Sequence, residues 1–105
     1  MEGSGSIVKQ WERVAAMECE YAQAEAVLKN LEEALEQLES IRPGLRALDE
    51  YLGSPLWYRD RATDEAGGFP PELRRGVLTE DAIYDLLAEY RQMRERSLSL
   101  LEELW

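Results

Sequence analysis

The chain reads as an all-α protein, an antiparallel helical hairpin or small bundle, and three observations carry that reading. Apolar residues recur at helical spacing over most of its length, no segment alternates apolar and polar residues as a strand does, and the Gly and Pro residues gather in the middle. With 105 residues there is enough chain for one modest core. Hydrophobic residues make up 45% and charged residues 32%, which fits a folded helical or coiled-coil protein and not a disordered one.

The first helix is predicted to start after Ser6, with Ser4 or Ser6 as N-cap following a flexible Gly-Ser stretch over residues 1–6. A heptad then fits without a break. Its a positions are Ile7, Val14, Tyr21, Leu28 and Leu35, and its d positions are Gln10, Met17, Ala24, Leu31 and Leu38. Only Gln10 is polar. Trp11, Val27, Ala34 and Ile41 widen the stripe on its e and g flanks, as a bundle helix requires. At 1.5 Å per residue the helix spans roughly 50 Å, so something must run alongside it.

Arg42-Pro43-Gly44-Leu45 interrupts the heptad, because Pro43 has no amide hydrogen to donate. A kink and a full break are both open here. Ile41, Leu45, Leu48 and Leu52 then continue a helical face up to Gly53, a natural C′ stop. Ser54 followed by Pro55 opens a short helix over about 55–66, closed by Gly67-Gly68. A turn region follows over 67–78. Phe69-Pro70-Pro71 is extended or turn-like, and Glu72–Gly76 has room for one helical turn. Thr79 is the expected cap of the last helix, about 80–104, with Glu80 and Asp81 in its first turn. Ile83, Leu86, Tyr90, Met93, Ser97, Leu100 and Leu104 mark its apolar face, and that face is the expected partner of the first helix. Trp105 would then lie beside Trp11.

The segment "LDEYLGSPLWYRD" (48–60), continued by "DEAGGFPPELRRGVLTEDAIYDLL" (64–87), resembles a bacterial family catalogued as domain of unknown function 4298. The resemblance covers roughly residues 10–100. It implies an all-helical, bacterial, cytoplasmic protein, and it brings no activity, cofactor or site residue with it.

Charge and residue types exclude several chemistries. The net charge is −10, with 22 acidic against 12 basic side chains, which repels nucleic-acid backbones and anionic lipid. The longest apolar run, Val14–Met17, is far too short to span a membrane. The start of the chain lacks the basic and apolar regions of a secretory leader, and Cys19 is the sole cysteine, so a reducing cytoplasm is expected with Cys19 as a small packed hydrophobe. There is no histidine, which removes Ser-His-Asp catalysis and the usual zinc and di-iron ligand sets. Glu32, Glu33, Glu36 and Glu39 form a solvated acidic face rather than a metal site, with Glu32 and Glu39 at e and Glu36 at b outside the core seam. Asp60–Gly68 fails as a calcium loop because Ala62 stands where an oxygen ligand is needed. No catalytic, cofactor or metal residue is expected.

What remains is an aromatic and basic group in the middle: Tyr51, Trp57, Tyr58, Arg59, Arg61, Phe69, Arg74 and Arg75, with Tyr84 beyond it. Trp, Tyr and Arg together have the composition of an interface hot spot. Two roles are open: a plug for the apolar mouth of the hairpin, or a plug that also serves as a binding face. A slack linker is excluded, since such a linker seldom holds Trp, Tyr, Phe and several prolines. The function expected is a non-enzymatic protein–protein interaction module, with a homodimer as one form. The alternative is an acidic inhibitor that imitates nucleic acid and occupies a basic cleft.

Overall fold

The computed structural model describes residues 2–103, with side chains described from residue 5. Among these residues there are three α-helices and no strand: α1 (Glu2–Tyr51), α2 (Pro55–Glu65) and α3 (Ala82–Glu103), with a 3-10 turn at Gly76–Leu78. The all-helical class predicted from periodicity is the one observed. Two compact units divide the chain, one up to Ile41 and one from Arg42 onward.

In the first unit, α1 already runs from Glu2, so Ser6 lies inside the helix and does not cap it. The side chain of Ser4 lies outside the described residues, as do Leu104 and Trp105. The apolar stripe expected to be buried is open to solvent. Ile7, Val14, Met17, Leu28 and Leu35 are all more than half exposed, Tyr21 is 66% exposed and Trp11 72%. Among the described residues of this unit, only Leu38 is half-buried. Cys19, expected to pack, is exposed as well; it falls at heptad position f, opposite the stripe.

Helix α1 continues through Pro43 without a break. One proline removes a single amide donor and crowds the preceding turn, at a cost of about 3 kcal/mol. The long, well-formed helix on either side outweighs that loss. The second unit opens on the last turns of α1. Gly53, at φ 75°, ends the helix in the left-handed region as predicted, with the Ser54 amide donating to the Tyr51 carbonyl at 3.0 Å.

Helix α2 begins as its sequence dictates. Ser54 has extended dihedrals, its Oγ accepts from the Trp57 amide at 3.2 Å, and Pro55 fills the first turn. It ends in a Schellman motif. The Gly67 amide donates to the Asp64 carbonyl and the Gly68 amide to the Thr63 carbonyl, both at 2.9 Å, with Gly67 at φ 74°. A side chain at Gly68 would run into Thr63, whose Cγ2 lies 2.7 Å from the ideal Cβ position. This stretch therefore admits little but glycine.

The expected helical turn at Glu72–Gly76 falls later. Leu73 closes a turn onto Pro70 at 3.1 Å, and the 3-10 turn forms at Gly76–Leu78. Thr79 does not cap α3. Its hydroxyl donates back to the Gly76 carbonyl at 2.7 Å and closes the 3-10 turn instead. Helix α3 starts at Ala82, so Glu80 and Asp81 precede it, and the Asp81 carbonyl takes the Asp85 amide at 2.8 Å. The 3-10 turn touches both α2 and α3. The core of the unit sits at that junction: Trp57 from α2, Leu78 from the turn, and Ile83 and Leu87 from α3, with Ile83 only 1% exposed.

Candidate functional site

The residues singled out from sequence separate into three levels of burial. Trp57 is buried at 4% exposure. Tyr51, Arg61, Phe69 and Arg75 are half-buried, while Tyr58, Arg59 and Arg74 lie on the surface. Tyr84, from the N-terminal part of α3, is exposed too.

Trp57 organises the cluster. Its indole Nε1–H donates to the Val77 carbonyl at 3.0 Å, tying α2 to the 3-10 turn. Tyr58 meets the indole edge-on, with ring centroids 5.1 Å apart and planes at 80°. The Arg61 guanidinium carbon lies 5.3 Å from the ring centroid on its face. Arg61 also reaches Glu80 at 3.0 Å and Glu65 at 3.4 Å, and Arg75 pairs with Asp64 at 2.9 Å. Two of the four arginines are thus engaged inside the cap, and exposed ion pairs of this kind contribute little to stability. The segment is folded, with its largest aromatic turned inward.

Tyr51 joins the end of α1 to α2 by donating its phenolic hydrogen to Asp60 Oδ2 at 2.6 Å. That bond, with partial desolvation and the nearby negative charge, pushes the Tyr51 pKa up from 10 to about 12. The unfolded chain releases this proton near pH 10. Between about pH 10 and 12 the unfolded state therefore binds fewer protons than the folded one, and stability falls as pH rises. Below pH 10 the contribution is complete. Tyr51→Phe should flatten this part of the alkaline limb in a series of thermal melts against pH. An unchanged slope in the variant would show that the Tyr51–Asp60 bond does not supply it.

Two features were not singled out from sequence. Along α1, Tyr21, Ala24, Glu25, Leu28, Lys29 and Glu32 line a hollow beside the exposed stripe. In the second unit, residues 42–49 of α1 and residues 87–91 of α3 line one open groove of about 270 Å³. The first was implicit in the heptad, where Ala24 stands between two large a residues. The second had only a weak local signal, since Arg42, Arg46 and Asp49 share one helical face at i, i+4 and i+7 while the rest of the groove comes from α3.

Neither feature holds a set of groups arranged for metal binding among the described residues. Among the described residues, no helix is long and apolar enough to cross a membrane. Fold and surface together define a small all-helical protein with a buried tryptophan in its second unit and an exposed apolar stripe in its first. The chain belongs to the family described as domain of unknown function (DUF4298), whose model matches residues 14–100. No curated protein and no solved structure matches it.

Proposed function

We propose that this chain is a non-enzymatic protein–protein interaction module whose working surface is the apolar stripe of α1, and that its first partner is a second copy of itself. The observation that carries the reading is the stripe itself. Ile7, Val14, Met17, Tyr21, Leu28 and Leu35 recur at a and d positions and are all exposed. In water an uncovered helix gains little from propensity alone, so a face of this length calls for a cover. The repeat of seven specifies another helix as that cover. Of the six residues lining the hollow, Tyr21, Ala24, Glu25 and Leu28 stand at the a, d, e and a positions that together accept one side chain from a facing helix, and Lys29 and Glu32 lie beside them.

Charge disfavours an antiparallel pairing of two copies more than a parallel one. The e edge is acidic at Glu18, Glu25, Glu32 and Glu39, whereas the g edge carries Arg13, Glu20, Val27, Ala34 and Ile41. In parallel register Arg13 faces Glu18 of the second copy, Glu20 faces Glu25, and the remaining g residues are apolar. An antiparallel pair would set the two acidic edges against each other.

Concentration-dependent hydrogen exchange tests this reading. Amides of residues 7–35 should be protected at tens of micromolar and lose most of that protection on roughly hundredfold dilution, while the amides around Trp57 stay unchanged. Equal protection at both concentrations would remove self-association from the account. The acidic e edge also favours a second reading, an inhibitor that imitates nucleic acid. That reading leaves the apolar stripe without a role. Salt-sensitive capture of a nucleic-acid enzyme, displaced by added DNA, would support it.

A further inference from the structure

We infer that the groove between the last turns of α1 and the middle of α3 is a binding site for an organic phosphate. Arg42 and Arg46 enter it from α1 and Arg91 from α3, with Leu45, Leu87 and Tyr90 forming the rest of the wall. In a chain of net charge −10, the fold places three arginines around one open volume of about 270 Å³. The ion pairs among the described residues belong to Arg61 and Arg75, and none involves these three. Like charges held around a common space repel, and an anion at the centre turns that cost into attraction.

The charge count selects phosphate over a lone carboxylate. Asp49 also lines the groove, so its side chains carry three positive charges and one negative. The net of two matches a phosphomonoester, which bears about −1.5 to −2 at neutral pH and offers three acceptor oxygens. A carboxylate offers two oxygens and one charge, enough for one guanidinium fork. Leu45, Leu87 and Tyr90 line the groove beside the arginines and supply apolar surface for the carbon part of the ligand. The volume suits a single head group with a small body, being below the usual range for larger ligands. The site stands independently of the stripe on α1.

Titration calorimetry with phenyl phosphate and with inorganic phosphate, at neutral pH in about 0.15 M chloride, tests the assignment on the full chain. The expected result is saturable one-to-one binding of both, with phenyl phosphate several-fold tighter. Replacing Arg46 and Arg91 by glutamine should weaken binding at least tenfold with the circular dichroism spectrum unchanged. Replacing Arg59 and Arg74, which lie outside the groove, changes net charge equally and should leave binding intact. Equal weakening in the two double variants would reduce the effect to diffuse charge and overturn the site. Absence of saturable binding to the unmodified chain at millimolar ligand would overturn it as well, and inorganic phosphate binding more tightly than phenyl phosphate would remove the organic part of the ligand.

Discussion

Trp57→Ala should destabilise the second unit by about 3–5 kcal/mol, the usual cost of truncating a buried aromatic. Trp57 is the largest side chain in a core of four, so there is little around it to collapse into the space. The variant also leaves the Val77 carbonyl without its indole donor and Arg61 without the ring beneath it. At about 4–8 °C per kcal/mol for a domain of this size, the calorimetric transition of the unit should fall by roughly 15 °C or more. Trp57→Phe separates the contributions. It keeps most of the apolar volume and loses the hydrogen bond, so a smaller loss of about 1–3 kcal/mol is expected. A wild-type melting temperature in Trp57→Ala would mean that the cap is not what holds α2 to the 3-10 turn.

The second large effect belongs to the stripe. Leu28→Glu places a carboxylate at the centre of the a/d seam, where the hollow beside Ala24 lies. Each chain of a pair loses one buried leucine, worth about 1.5–3 kcal/mol, so a dimer loses about 3–6 kcal/mol before any repulsion between the new charges. At 1.4 kcal/mol per tenfold, the dissociation constant should rise at least a hundredfold. Because Leu28 is exposed in the single chain, the fold of the second unit should not change. Cys19→Ser, at the f position and away from the seam, should leave association unaltered. Loss of association in Cys19→Ser but not in Leu28→Glu would move the interface off the stripe.

These two expectations show where the sequence was informative. The α2 boundaries were legible because their causes are local. Ser54 and Pro55 open the helix by capping and by a preset φ, and Gly53 and Gly67 stop the chain in a conformation that other residues avoid. For a compositional reason Trp57 was legible as part of a folded segment rather than a slack linker, while its burial, at 4% exposure, was not. The start of α3 was misplaced because Thr79 and Asp81 both suit a helix N-terminus, and the 3-10 turn claimed the Thr79 hydroxyl. Pro43 left a kink and a break both open, and the continuous helix removes the break, since a single missing donor does not end a helix as long as α1.

The stripe on α1 teaches a different lesson. Heptad periodicity reports that a face is built to be covered, without stating by what. Within the first unit, Trp11 and Tyr21 on that face remain largely exposed. The arginine groove was out of reach for a further reason. Arg42 and Arg46 are far from Arg91 in sequence, and only the packing around Leu45 and Leu87 brings them to one space. By composition alone the arginines of the cap looked more available, but Arg61 and Arg75 are already held by Glu65, Glu80 and Asp64.

Sedimentation equilibrium of the full chain at tens of micromolar tests the central claim, that the stripe of α1 is a self-association surface, most directly. The predicted result is a mass twice the 12.1 kDa of one chain, returning to a single chain in Leu28→Glu. A mass of 12.1 kDa for the unmodified protein across the whole concentration range would contradict it.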